Sequence, residues 1–504
     1  MPLTYTRSAS GTIASTTTRN TMMTALRKII TTTLIASLLS QAAIADTGNL
    51  PDLGDESAAV ISPLQERKLG EEFMRTARSQ LDIIDDPELN TYIQTLGHRL
   101  STKKSPAAGQ EFHLFIVNNP SINAFAVPGG YIGIYTGLIL ATETESELAS
   151  VVAHESAHII QRHIPRMIAE SQRTTLPAMA ALLAAILIAG SGRQGGEAAI
   201  AMTTATLAQK QLNFSREFEQ EADRIGMGIL TSAGYDARGM PAFFERMQSQ
   251  TRLYETNLPE FLRTHPITTR RIAESRDQAE HYSVVKNPDD ADFYHIQAKI
   301  RVLTGGRAAD TASSFKNSLA SGQYPHKNAE HYGYVWSLLA NKQYPEARRE
   351  IRELLTQRPR YGLYLIAQAE IEMAAGNYDA ALALYGAAVK KIPRDFALAQ
   401  RYASALLKTG RPVEARSLLK NLVRQQPDDP ALQKMLATAA GDSGALLEAH
   451  QAMAEYYYLI GNTDAAIGQL QIARRHAGDR FYFLSSLDAR IKEIRDEAAI
   501  YKAK

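Results

Sequence analysis

The chain has 504 residues, 45% hydrophobic and 21% charged, which is ordinary for folded globular protein and too long for one core. It has no cysteine, which excludes disulfides, iron–sulfur clusters and thiolate metal sites, so any metal here needs His and carboxylate ligands. The formal charge of +2 owes its sign to Arg7, Arg19, Arg27 and Lys28; beyond residue 45 the chain stands at −2, and nothing in that balance suggests a nucleic-acid partner.

Residues 22–28 read MMTALRK, a short basic region, and residues 29–39 are mostly apolar. Ala43, Ile44 and Ala45 then place small residues at the two positions a signal peptidase reads, before Asp46. This is the three-part layout of a secretory signal. The apolar run is too short to span a bilayer, although a membrane anchor is the competing reading. We therefore expect residues 1–45 to be a signal peptide, with translation starting at Met22 or Met23, and the mature protein to be periplasmic. Residues 46–60 read as a lead-in.

Two amphipathic helices are expected over residues 62–101, broken at Asp86 and Pro87. FHLFIV at 112–117 and the run at 123–135, with a Pro128, Gly129, Gly130 turn, read as strands. A helix is predicted from near Ser146 through His163. An Ala/Leu-rich stretch at 176–188 has the length of a buried or interfacial helix, and 190–196 reads as a loop. Another helix covers about 215–232 and is ended by Gly234.

The C-terminal part repeats itself. Pro325, Pro359, Pro393 and Pro427 are 34 residues apart, as are Ala347, Ala381, Ala415 and Ala449, and Gly376, Gly410 and Gly444. The proline closes a helix pair, the alanine lets helices approach, and the glycine sits in the turn, a pattern similar to the tetratricopeptide repeat. Gly461, Asn462 and Ala466 look like another turn and packing alanine, half a repeat out of step, so the last helices are expected to form an irregular cap. The aromatic run at 456–458 reads as repeat core.

The residues that carry chemistry lie in VVAHESAHII at 151–160. His154 and His158, four apart on a helix, project from one face and can share a metal, and Glu155 can reach a water held beside it. The bland reading is two surface histidines, but the apolar flanks favour a buried helix. A catalytic zinc needs a third protein ligand and one open position. In SREFEQEADRIG at 215–226, Glu219 suits the ligand, and Asp223, on the same face, suits a carboxylate orienting His154 or a proton donor. Glu221 competes for the ligand role, but it lies roughly 200° around the helix and cannot act together with Glu219. A solvated acidic face is the competing reading of this run. His163 and His113, without a motif around them, read as structural or exposed.

His-Glu-x-x-His followed by Glu-x-x-x-Asp resembles the gluzincin metallopeptidases that include HtpX and the CAAX prenyl protease. NAFAVPGGYIGIYTGL at 123–138 resembles that family's substrate-facing edge strand, which points to Asn123, Phe125 and Gly130 as substrate-binding. Thr264, His265 and Pro266, with Arg271 six residues after His265, resemble its downstream His-Pro motif. A signal peptide and C-terminal repeats narrow the resemblance to periplasmic members that act in outer-membrane β-barrel assembly. The fold implied is an α+β zincin-type metallopeptidase domain at 46–285 followed by an all-α tetratricopeptide-repeat solenoid at 290–504. The function implied is a zinc metalloendopeptidase, with chaperone-like work, binding one Zn2+ per chain. Its implied partners are unfolded or stalled outer-membrane proteins and the β-barrel assembly machinery, with peripheral membrane association left open. The resemblance also implies that His265 is a regulatory fourth ligand in a resting form; a helix-start residue or an oxyanion donor are the alternatives. Arg271 is a candidate oxyanion stabiliser or a structural helix arginine. A repeat-mediated chaperone or docking protein whose peptidase is usually off is the alternative function.

Overall fold

The computed structural model describes residues 61–102, 105–171, 216–251, 259–285 and 291–502, which all fall in one compact unit. The expected signal peptide, the lead-in at 46–60, the apolar stretch at 176–188 and the loop at 190–196 lie outside the described residues.

Helix α1 (Pro63–Gln80) opens on a reciprocal cap: the Ser62 hydroxyl accepts from the Gln65 N–H, and the Gln65 side chain accepts from the Ser62 N–H. Helix α2 (Pro87–Leu100) starts where the break was expected, because the Asp86 carboxylate accepts from the Leu89 N–H and Pro87 occupies a first-turn position that needs no donor. Strands β1 (His113–Val117), β2 (Ala124–Val127) and β3 (Tyr131–Tyr135) form one sheet in the order β1-β3-β2. β1 runs parallel to β3 and β2 antiparallel to it. The turn between β2 and β3 needs Gly130, which has φ +92° and where a Cβ would lie 2.4 Å from the Glu111 carbonyl oxygen.

Helices α3 (Thr136–Ala141), α4 (Glu145–Ile160), α5 (His163–Ser171), α6 (Arg216–Ser232), α7 (Gly239–Thr251), α8 (Glu260–Thr264) and α9 (Thr269–Glu280) follow among the described residues. The helix expected to run through His163 stops at Ile160. Arg162 takes φ 51° and restarts the chain as α5 in a new direction. Its guanidinium is tied to Glu66 and to the Ile61 carbonyl, contacts that hold a non-glycine residue in the left-handed region. α4 lies in the centre: Leu148, Val152 and Ala153 share a buried cluster with Ile132 and Ile134 of the sheet, Ile229 of α6 and Phe243 of α7. Gly226 lets α6 come close, since a Cβ there would stand 3.1 Å from the His154 Cα.

The repeat array runs through α10 (Ala291–Thr304), α11 (Ala308–Ser321), α12 (Lys327–Ala340), α13 (Tyr344–Gln357), α14 (Gly362–Ala374), α15 (Tyr378–Lys391), α16 (Phe396–Lys408), α17 (Pro412–Gln425), α18 (Pro430–Asp442), α19 (Leu446–Leu459), α20 (Thr463–Ala477) and α21 (Phe481–Lys502). Ala347, Ala381, Ala415 and Ala449 are all buried. Gly376, Gly410 and Gly444 turn with positive φ, and so does Lys342, one period earlier, where the glycine series gives no signal. Gly461 turns α19 straight into α20, so α19 closes one helix pair and opens the next; this produces the half-repeat offset. No helix among the described residues is long and apolar enough to cross a membrane.

The array grips the N-terminal part at two seams. At the first, Lys299 of α10 pairs with Asp86 at 2.8 Å and Glu88 at 2.7 Å, and Arg401 of α16 pairs with the same carboxylates at 2.7 and 2.8 Å. Lys299 is 1% exposed, and its ammonium also sits 4.2 Å from the centre of the Trp336 ring. At the second, the Arg78 guanidinium donates to the carbonyls of Leu459 and Asp428. Tyr458 packs against the core of the last repeat helices, as expected, and also reaches this seam: its ring meets the guanidinium groups of Arg75 and Arg490, and its hydroxyl donates to Glu497.

Replacing Lys299 by Met leaves two buried carboxylates facing one guanidinium. We expect the variant to lose about 3–5 kcal/mol of unfolding free energy, read from its urea midpoint. A midpoint equal to wild type would show that this charge knot is not buried in solution.

Candidate metal centre

The centre is assembled from α4, α6 and the turn after α8. Thr144 caps α4 through the Glu147 N–H, and Glu145 and Glu147 stand in its first turn, where the helix dipole favours acids. Two turns further on, His154 and His158 share one face. The close passage at Gly226 brings the acidic face of α6 against them.

His154, His158, Glu219 and His265 come together, all at most 3% exposed, with a donor atom from each within 4.8 Å of the others. His154 Nε2 lies 3.1 Å from His158 Nε2 and 3.4 Å from His265 Nδ1. Glu219 Oε1 lies 2.9 Å from His265 Nδ1 and 3.6 Å from His158 Nε2. Metal bonds of about 2.0–2.1 Å in a tetrahedron set neighbouring donors about 3.3 Å apart, which is the spacing seen here. Three imidazole nitrogens and a carboxylate oxygen, with no sulfur, form a donor set suited to a small divalent cation.

Electrostatics points the same way. Glu155, Glu219 and Asp223 are three buried carboxylates, and the guanidinium of Arg271 meets two of them, Glu219 and Asp223. A divalent cation would balance the negative charge that Arg271 leaves; without such balance, burial of this kind is costly. Burial alone would push His154 down, but bonds to Asp223 and Glu219 outweigh it and lift its pKa to about 9. Burial, followed by the positive charge drawn to His154, holds His158 well below its usual value. Glu219 stays well below the usual carboxylate range: burial opposes this, but His265, His154 and Arg271 prevail.

Around the donors the partners are specific. Asp223 lies 2.9 Å from His154 Nδ1, as expected of a carboxylate that orients the ring. Arg271 is committed to carboxylates rather than open to a substrate. It donates to both Asp223 oxygens at 2.7 and 2.8 Å, to the Pro266 carbonyl at 2.9 Å, and pairs with Glu219 at 2.8 Å. Glu155 is fully buried with no hydrogen bond to either oxygen; its ionic neighbour is His265 Nε2 at 3.4 Å.

The structure decides between the two readings of His163, structural or exposed: it is not exposed. It is fully buried, stacks on Phe218 at 4.4 Å and lies 2.8 Å from His158, and burial brings its pKa down to about 4. Glu221, weighed as a rival ligand, instead meets His163 at 3.2 Å and Arg166 at 3.0 Å. The cue was the third histidine, five residues beyond His158, but only the turn at Arg162 folds it back.

Asn123, Phe125 and Gly130, expected to bind substrate, lie along and beside β2. The Tyr135 N–H donates to the Asn123 carbonyl, so residues 123, 125 and 127 bond inward to β3. That leaves the peptide groups of Ala124 and Ala126 on the outer edge. Phe125 packs edge-on against Phe73, Phe115 and Tyr135 in the core beneath α1. Gly130 serves the turn. On the outer edge, the Ile122 carbonyl accepts from the Phe261 N–H of α8, the helix that ends in His265.

Residues 87–279 match the sequence profile described as Peptidase family M48, and residues 332–396 and 372–439 match profiles described as tetratricopeptide repeat. The chain is 32% identical over 478 residues to the β-barrel assembly-enhancing protease of Escherichia coli (strain K12), spanning 94% of this chain and 98% of that protein. It is 34% identical over 442 residues to a putative β-barrel assembly-enhancing protease of Vibrio cholerae, spanning 88% and 91%. The mitochondrial metalloendopeptidase OMA1 of Arabidopsis thaliana is 29% identical over 220 residues, 44% of this chain and 42% of that protein.

Elemental analysis of purified protein should find about one metal ion per chain, and little in His154→Ala. Full occupancy in that variant would remove His154 from the ligand set.

Proposed function

The chain belongs to peptidase family M48 and is a metalloprotease with C-terminal tetratricopeptide repeats, and from that premise we propose a zinc endopeptidase of the periplasm that acts in assembly and quality control of outer-membrane β-barrel proteins. The observation that carries the chemistry is a buried His154, His158 and Glu219 donor set beside the unbonded carboxylate of Glu155. We assign zinc from the tetrahedral spacing of nitrogen and oxygen donors. The setting rests on the β-barrel assembly-enhancing proteases that the chain matches over nearly their whole length, and on the expected signal peptide. The proposed substrates are unfolded or stalled β-barrel proteins, met at their assembly machinery.

Held by His154, His158 and Glu219, zinc would supply a Lewis acid and lower the pKa of a water toward neutrality. Glu155 takes the proton of the attacking water and delivers it to the leaving amide nitrogen; its freedom from other hydrogen bonds keeps both oxygens available. Asp223 holds His154 with Nε2 toward the donor cluster. Arg271 acts through Asp223 and Glu219, neutralising one of the buried charges. The outer edge at Ala124 and Ala126 suits pairing with an extended substrate strand.

His265 would supply a fourth donor, at the position where hydrolysis needs a water. α8 is fastened by Phe261 to the same outer edge that a substrate would use. Both features support a resting enzyme held off by His265 and α8. They also favour a second reading, in which the repeats act as a chaperone or docking surface while the peptidase is off.

Glu155→Gln should keep its metal and lose at least about a hundredfold in peptide hydrolysis. Unchanged hydrolysis with metal bound would overturn the mechanism, while β-barrel assembly that survives the change would belong to the repeats. His265→Ala separates lock from catalyst by sign. A lock predicts retained metal with faster proteolysis, including self-cleavage; an oxyanion donor predicts a drop of about 10²–10³ in rate.

A further inference from the structure

The two histidines of the motif do not have the same surroundings. His154 meets its carboxylate directly. On its Nδ1 side His158 meets another imidazole, His163 Nδ1 at 2.8 Å. His163 Nε2 in turn meets Glu221 Oε2 at 3.2 Å, and that oxygen accepts from Arg166 at 3.0 Å. Phe218 stacks on the His163 ring at 4.4 Å and 9°, and the Arg166 guanidinium lies 4.5 Å from the Phe218 ring centre. The His163 ring is thus stacked as well as bonded.

We propose that His163 is a positioning residue that relays the charge of Glu221 to the ligand His158, and so fixes that ring for metal binding. The proposal rests on the metallopeptidase reading and extends it to a residue outside the expected ligand set. Only one arrangement of protons fits. A His158 that binds metal through Nε2 is neutral and must carry its proton on Nδ1. That proton is donated to His163 Nδ1, which must therefore be the acceptor. The proton of His163 then sits on Nε2 and is donated to Glu221, an anion held in place by Arg166. The result is a ligand, an intervening imidazole, a carboxylate and an arginine, beside the shorter line of His154, Asp223 and Arg271. An anion at the far end raises the donor strength of His158 and removes its freedom to flip.

The relay depends on two local choices of the chain. Arg162 in the left-handed region lets α5 start at His163 and turn it back toward α4. Spacing of two along α6 aims Glu221 away from the donor cluster that Glu219 and Asp223 face.

The test is Zn2+ affinity by competition with a chromogenic chelator, together with the visible spectrum of the Co2+-loaded protein. His163→Ala should bind Zn2+ about 10–100-fold more weakly than wild type and alter the Co2+ bands. His163→Asn should recover most of the affinity, because its amide oxygen can accept from His158 Nδ1. Glu221→Gln leaves the packing around His163 in place, and should weaken binding several-fold if His163→Ala does not fold. Wild-type affinity in His163→Ala or Glu221→Gln overturns the relay, as does an Asn variant no tighter than Ala. A wild-type protein that binds no Zn2+ overturns the relay and the metallopeptidase reading together; a wild type that binds while the variants match it overturns the relay alone.

Discussion

Burial of three carboxylates against the face of one helix is the constraint around which the rest is built. Glu155, Glu219 and Asp223 lie where water cannot solvate them, and every nearby feature answers that cost. Arg271 neutralises one charge, the imidazoles supply donors that accept or share a cation, and the acidic face of α6 is brought near by the missing side chain at Gly226. A surface version of the same residues would need none of this, because water would screen them. The core of α4 is apolar on its remaining sides, which concentrates the field on the donor atoms instead of dispersing it.

The repeats are bound to this centre by a continuous line of packed groups. Lys299 and Arg401 grip Asp86 and Glu88 at the start of α2. Further along the same helix, Tyr92 and Arg99 bond to Glu145, the first residue of α4. Gln297 of α10 donates to the carbonyls of Ile139 and Thr142, just before that helix begins. A repeat array attached in this way sets the position of the metal-motif helix through rigid elements.

The strand edge and the His265 turn are joined in a similar way. One hydrogen bond from Phe261 to Ile122 fastens α8 to the outer side of β2, while its last turn delivers His265 to the donor cluster. Release of α8 would free a strand edge and a coordination position at once.

The sequence by itself determined the elements whose signal is local. Two histidines four apart, a glutamate between them and an acidic face sixty residues on are readable because helix geometry converts spacing into a shared face. The 34-residue series of Pro, Ala and Gly is readable because each repeat must solve the same packing problem. Tertiary structure alone decided what depends on a change of chain direction or on bonding parity. His163 looks idle in the sequence, since its role follows from the left-handed turn at Arg162, which is enforced by Glu66 and Ile61 nearly a hundred residues earlier. Arg271 resembles an open catalytic cation until its guanidinium is found closed on Asp223 and Glu219. Asn123 and Phe125 lie in the expected strand, yet the pairing with β3 turns their peptide groups inward and gives the free edge to Ala124 and Ala126, because register is a property of two strands and is not written in either one.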